Sequence, residues 1–156
     1  IQLRYNKYIQ RADWRNEMHV LPIGKGKKLR DGDDIAILSL GPIGNEVIKA
    51  IKEIEGDGIS IAHYDMIYLK PMDEELLHEV GKKFSRIITV ENGVIRGGLG
   101  SAVLEFMADN GYTPKIKRIG VPDEFVEHGP ISELYKLCGM DAKCIAEEIK
   151  KMVIGG

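Results

Sequence analysis

Four times along this chain a short apolar run is followed, after a turn, by a stretch whose apolar residues recur at helical spacing. Strands separated by helices pair in parallel and bury both faces of their sheet, so this alternation limits the fold more than any other feature. The first run, Ile35 to Leu40, follows the turn-forming Asp31-Gly32-Asp33-Asp34 and ends at Gly41-Pro42. Ile43, Val47, Ile48, Ile51 and Ile54 then mark one face of a helix, which Gly56-Asp57-Gly58 breaks. The second run is Ile59 to Tyr64. Lys70-Pro71 interrupts, and Asp73 is placed to cap a helix with Leu76, Leu77, Val80 and Phe84 inward, which Gly81 is expected to end early. Arg86 to Glu91 is the third run. The glycine-rich stretch from Gly93 to Gly100 leads into a helix carrying Leu99, Ala102, Val103, Phe106 and Met107, closed by Asn110-Gly111. The fourth run, Lys115 to Ile119, precedes a helix through Ile131, Leu134, Tyr135 and Cys138. Asp141 can cap a last helix with Ile145, Ile149 and Val153 inward. The expected fold is a three-layer α/β/α domain on a mostly parallel sheet of about five strands.

Residues 31–156 carry this pattern. Residues 1–30 do not: they contain Arg4, Lys7, Arg11, Arg15, Lys25, Lys27, Lys28 and Arg30, and read as an interdomain connection or the end of a preceding domain. The chain begins without Met and in mid-pattern, like the inside of a strand, which reads as a fragment of something longer. Its 156 residues are enough for one sizeable core. A net charge of -2 gives no global attraction to nucleic acid or an anionic membrane. No apolar run approaches the roughly 20 residues of a spanning helix, and the N-terminus lacks the form of a signal peptide. Cys138 and Cys144 fit neither a C-x-x-C redox motif nor a zinc site, and read as reduced thiols of a cytoplasmic protein.

In open parallel sheets, ligands favour the loops beyond the carboxyl ends of the strands. Three such loops stand out. Gly41-Pro42-Ile43-Gly44-Asn45 is not a dinucleotide fingerprint, Pro42 removes a donor, and a tight strand-to-helix turn is the favoured reading. In Glu91-Asn92-Gly93-Val94-Ile95-Arg96-Gly97-Gly98-Leu99-Gly100, the glycines permit close backbone approach and Arg96 beside a helix start would suit an anion. Close packing against a partner chain or domain competes with that reading and is favoured. The third loop, Val121 to Gly129, holds Asp123, Glu127 and His128. A carboxylate beside a histidine invites general acid/base chemistry, but no nucleophile lies nearby in sequence, so a structural or interface role is favoured for His128. His19, His63 and His78 are isolated. The basic stretch Gly24-Lys25-Gly26-Lys27-Lys28 lacks P-loop spacing and reads as a solvated turn. No metal-ligand cluster or nucleophile–base pair is legible, and no catalytic residue is assigned.

These loops, in this order, resemble those of a known family. Asp65 through Lys70-Pro71-Met72-Asp73, then Thr89-Val90-Glu91-Asn92-Gly93 with Gly97-Gly98-Leu99-Gly100, then Val121-Pro122-Asp123 with Glu127-His128-Gly129, are similar to the C-terminal domain of the transketolase family, over about Leu21 to Val153. The Pro-Asp followed by an acidic residue, His and Gly is the most specific part. It points to the branch that condenses pyruvate with glyceraldehyde 3-phosphate and releases carbon dioxide.

The resemblance implies a parent enzyme that depends on thiamine diphosphate and magnesium, with the cofactor between two preceding domains. This third domain would support those domains and the homodimer, and would be inactive alone. Arg4-Tyr5 matches the start of an Arg-Tyr-Pro-Arg-Gly segment whose arginine the family associates with the substrate phosphate, although Asn6, Lys7 and Tyr8 follow here. Ile67, between Asp65 and Lys70 in sequence, stands where the family commonly has arginine, so a salt bridge that the resemblance implies at this position is expected to be missing. Arg96, Gly97, Gly98, Gly100, Asp123, Glu127 and His128 are the interface or anion-binding candidates. Two alternatives stay open: the C-terminal domain of a 2-oxo acid dehydrogenase beta subunit, and a stand-alone anion-binding regulatory module using the Gly93–Gly100 loop.

Overall fold

The computed structural model describes residues 20–155. Strands β1 (Lys27–Arg30), β2 (Ile35–Leu40), β3 (Ile61–Asp65), β4 (Arg86–Val94) and β5 (Lys115–Val121) form one sheet in the order β1-β3-β2-β4-β5. All neighbours are parallel except β1, which runs antiparallel to β3. The helices are α1 (Gly44–Glu53), α2 (Glu74–Lys83), α3 (Leu99–Asp109), α4 (Ile131–Leu137) and α5 (Ala142–Ile154).

Side chains alternate across a strand, and this divides the core in two. Ile35 and Ile37 of β2 pack with Val47 and Ile51 of α1 and with Ile145 and Ile149 of α5. Ala36 and Leu38 face the other way, onto Leu77 and Val80 of α2 and Leu99 and Val103 of α3. Helices therefore cover both faces, as the alternating pattern requires. Each fully buried Ile or Leu contributes about 1.5–3 kcal/mol over an exposed one, so the two layers carry most of the stability.

Three details differ from the sequence reading. Lys27–Arg30, placed in the interdomain connection and partly in a solvated turn, form edge strand β1 of the same sheet. All four residues are exposed, so no apolar alternation marks the strand. Charge on an exposed edge discourages pairing with another chain, and β5 carries Lys115 and Lys117 at the opposite edge in the same way. Secondly, α2 does not end at Gly81 but continues to Lys83. The ring of Tyr112 lies where a side chain at position 81 would be, 2.7 Å from an ideal Cβ, and its hydroxyl lies 3.0 Å from His78 Nδ1. Gly81 thus serves a long-range contact that outweighs its poor helix propensity. Thirdly, α4 buries none of its residues, and Ile131 and Leu137 are exposed.

Candidate functional site

The chain leaves β2 toward β3 and then crosses back over β2 to reach β4, so the topological switch point lies between β2 and β4. Open sheets bind ligands in the crevice outside the carboxyl ends of the strands at that point. Here the crevice is bounded by Gly41-Pro42-Ile43 after β2 and by Glu91-Asn92 near the end of β4. Adjacent residues on a strand point to opposite faces, so Glu91 and Asn92 reach different helices.

Glu91 is 3% exposed and turns toward α3. Its carboxylate accepts the N–H of Leu99 at 2.8 Å and of Gly100 at 2.9 Å. A carboxylate on the free donors of a helix N-terminus gains charge-assisted hydrogen bonds and the favourable end of the helix dipole. The glycine-rich loop wraps this group so closely that a Cβ at Gly98 would stand 2.0 Å from Glu91 Oε2. The anion for which the loop is shaped is therefore the chain's own. Asn92 turns the other way: its Oδ1 accepts the Ile43 N–H at 3.1 Å, at the start of α1, and its Nδ2 donates to the Tyr135 hydroxyl of α4. The two remaining long helices are finished alike. Asp73 accepts from Leu76 N at 3.1 Å at α2, and Asp141 accepts from Cys144 N at 3.2 Å at α5. At α2, α3 and α5 a side-chain oxygen of this chain thus holds first-turn backbone donors; at α1 those of Gly44, Asn45 and Glu46 go to the carbonyls of Gly41, Pro42 and Ile43.

The interface candidates lie on the loops after β4 and β5, where Arg96 and Asp123 line a groove beside β5. Gly97 donates its N–H to Ser101 Oγ at 2.9 Å, which tightens the turn before α3. Gly98 caps α3, and Gly100 packs on Arg118 and Thr89. Arg96 points outward, with its Nε 3.7 Å from Asp123 Oδ2, so the second and third loops meet through an exposed ion pair. Ile95 N–H donates to Val121 O at 2.8 Å and joins the same loops through the backbone. Glu127 and His128 are exposed farther along the third loop. Arg4 lies outside the described residues. Ile67 stands at φ 59°, a left-handed conformation rare for a β-branched residue, and donates its N–H to Asp65 Oδ1 at 3.1 Å.

One nucleophile–base distance is present that the sequence did not reveal. Ser39 Oγ lies 2.8 Å from His63 Nε2, between β2 and β3 under the start of α1. Both residues are 1% exposed, and burial pushes the His63 pKa down to about 4. A sealed, weakly basic pair of this kind links two strands and is poorly suited to general base chemistry. A groove of about 730 Å³ runs beside β5, lined by Lys117, Cys138, Cys144, Glu148 and Lys151 among others. Within it Glu148 pairs with both lysines, Lys117 at 3.1 Å and Lys151 at 2.8 Å. The hydrogen bond to Asp141, helped by burial, raises the Cys144 pKa to about 11, so this thiol stays protonated and unreactive near neutrality.

Thiamine diphosphate with magnesium, which the resemblance implies for the parent, does not fit the described residues. The helix starts that could take a diphosphate are already filled, by Asp73, Glu91 and Asp141 at α2, α3 and α5 and by the carbonyls of Gly41, Pro42 and Ile43 at α1. Among the described residues no group of three or more His, Cys, Asp or Glu is disposed to hold a metal ion. Glu91 and Asn92 are the organising residues that sequence reasoning missed. The available signal was a carboxylate at a strand end just before a glycine-rich helix start, which reads equally well as a gap for a ligand or a seat for that carboxylate.

The family model described as Transketolase, C-terminal domain, matches residues 24–145. A 1-deoxy-D-xylulose-5-phosphate synthase from Parabacteroides distasonis is 78% identical over 139 residues, covering 89% of this chain and 22% of that protein. A protein of the same name from Azobacteroides pseudotrichonymphae is 58% identical over 151 residues, covering 94% of this chain and 24% of its own length. The chain therefore spans less than a quarter of the curated relatives it matches. Among solved structures, a split-gene transketolase described as an inactive beta4 tetramer aligns with a TM-score of 0.76 at 32% identity, covering 86% of this chain and 43% of that one. A transketolase from Campylobacter jejuni, at 15% identity and a TM-score of 0.57 over 81% of this chain and 18% of that one, shares the fold.

Proposed function

The chain belongs to the transketolase C-terminal domain family, and on that footing we propose that it is the C-terminal domain of a 1-deoxy-D-xylulose-5-phosphate synthase. The parent would condense pyruvate with glyceraldehyde 3-phosphate, release carbon dioxide and supply isoprenoid precursors from the cytoplasm. The observation that carries this reading is 78% identity to a synthase of that name over 89% of the chain. The names of the relatives give no support to the dehydrogenase alternative. The anion-binding alternative is disfavoured because Glu91 already occupies the α3 start.

Thiamine diphosphate supplies the carbanion-stabilising chemistry in such an enzyme. In this proposal the cofactor and magnesium are held by preceding domains, and this domain contributes rigidity and part of a homodimer. Residues before about Gly24, where the family match begins, would join it to the preceding domain, and Arg4 would lie at that domain's edge, near the substrate phosphate. Arg96, Asp123, Glu127 and His128 would be contact residues.

The test compares this chain with the longer parent, each supplied with thiamine diphosphate, magnesium, pyruvate and glyceraldehyde 3-phosphate. The parent should release carbon dioxide and form deoxyxylulose 5-phosphate, and the chain alone should not. Turnover by the chain alone would contradict the supporting role. A parent that forms no sugar phosphate would contradict the synthase reading.

A further inference from the structure

We propose that residues 122–139, which join β5 to α5, are a hinged strap that opens as a unit while the rest of the domain stays folded. Its latch is the hydrogen bond between Asn92 and Tyr135. None of residues 122–139 is buried, and no longer stretch without a buried residue occurs among the described residues. The strap includes all of α4, whose Ile131 and Leu137 are 68% and 74% exposed. The other helices are different: α1, α2, α3 and α5 each bury at least three residues against the sheet. A segment with so few buried contacts opens at a lower free energy than the core beside it.

Little ties the strap down. Its backbone hydrogen bonds stay local: Leu134 N–H donates to Pro130 O at 3.1 Å, Cys138 N–H to Leu134 O at 2.9 Å and Met140 N–H to Tyr135 O at 2.7 Å. Tyr135 and Cys138 are partly buried against the layer that α1 and α5 form. Among the described residues, one side-chain hydrogen bond and one ion pair join the strap to the rest of the domain, Asn92 to Tyr135 and Arg96 to Asp123. The ion pair is 3.7 Å apart and more than half exposed on both sides, so water screens most of its attraction. The Asn92 bond is therefore the specific hold. Asn92 is anchored on its other side, because its Oδ1 accepts the Ile43 N–H at 3.1 Å. One amide thus has its oxygen on the fixed core and its nitrogen on the strap.

The strap is fixed just beyond each end. Before it, Val121 ends β5, and its carbonyl accepts the Ile95 N–H at 2.8 Å. After it, Met140 is 1% exposed within the α1–α5 layer. Between that anchor and α4 stands Gly139, at φ 67° with nothing within 4 Å of an ideal Cβ, which gives the strap a joint that neighbours do not block. The groove beside β5 has one wall on the strap, through Asp123, Leu137 and Cys138, and the other on β5 and α5, through Lys117 and Glu148. Opening the strap moves the first wall away from the second and frees the Asn92 Nδ2 at the crevice between β2 and β4. Pro122-Asp123 and Glu127-His128-Gly129, which stand out in the sequence, all lie on the strap, so its position sets theirs.

Native-state amide exchange of the 156-residue chain, read residue by residue by NMR and corrected for intrinsic rates, tests this. The amides of Leu134 and Cys138 should exchange about tenfold faster or more than those of Ile145 in α5 and Ile37 in β2. Tyr135→Phe keeps the ring and removes the hydroxyl. It should speed the two strap amides by about two- to tenfold, the worth of one hydrogen bond, and leave Ile145 and Ile37 unchanged. A common rate for all four amides in the unaltered chain would show that α4 opens only with the whole domain, and would overturn the strap. A Tyr135→Phe variant that changes none of the four rates, or speeds all four alike, would overturn the latch.

Discussion

At the amino end of the sheet, the N–H groups of Asp33 and Asp34 donate to Ser60 O at 3.2 and 2.8 Å, and Ser60 N–H donates back to Asp34 Oδ2 at 2.7 Å. At the carboxyl end, Glu91 and Asn92 perform the same service for the starts of α3 and α1. Both ends therefore satisfy their own polar groups. They differ in how much apolar surface they turn outward: Ile23, Leu69, Val94 and Phe125 are exposed at the carboxyl end, and Ile154, at the end of α5, at the other. Polar saturation at both ends fits the proposed supporting role, because ligand recognition needs unsatisfied polar groups aimed into a cleft.

The largest expected effect comes from Gly98→Ala. The new Cβ would stand 2.0 Å from Glu91 Oε2 and drive the carboxylate off the α3 start. We expect about 3 kcal/mol or more of lost stability in chemical denaturation, the cost of a displaced buried charge together with two broken charge-assisted bonds. Amide exchange should rise first at Leu99 to Ser101 while Asp33, Asp34 and Ser60 keep their protection. Equal opening at both ends would break the contrast between them.

Acid provides a sharper control, because it acts at the middle of the sheet. Burial holds the His63 pKa near 4, against 6.5 for a free ring. Above pH 6.5 both folded and unfolded chains carry the neutral ring; between 6.5 and 4 only the unfolded chain takes up the proton. Stability contributed by His63 is therefore full above pH 6.5 and is lost as pH falls, levelling off below 4, a total of about 3 kcal/mol. Both ends should loosen together. His63→Gln should flatten this part of the pH profile; an unchanged profile would assign the acid sensitivity to other groups.

The smallest effect should come from Phe125→Asp. In this chain Phe125 touches little, so the melting transition should shift by less than about 0.5 kcal/mol. A larger loss would mean that Phe125 packs on its own domain, and the two ends would then differ less than described.

Much of the fold was legible from periodicity, because strands buried on both faces read as apolar runs and the helices beside them as single stripes. β1 was not, since four exposed residues ending in Arg30 carry no burial signal, and only pairing with β3 makes them a strand. The length of α2 was not either, since Tyr112, distant in sequence, decides what Gly81 is for. At the site, the glycine-rich loop and the Pro-Asp loop were legible as special, and the structure joins them through Arg96 and Asp123. What the loop encloses was not legible: a helix start that invites an anion looks the same in sequence whether the anion comes from solvent or from Glu91. The family resemblance reached the right family because it used the order of three loops and not any one of them.

The start of α3 is filled from within. Amide nitrogen–proton shifts of Leu99 and Gly100, followed by NMR while inorganic diphosphate is added to millimolar concentration, test it most directly. Neither resonance should move, because Glu91 holds both donors at 2.8 and 2.9 Å. A saturable shift of these two amides would show that an external anion displaces Glu91, and would contradict it.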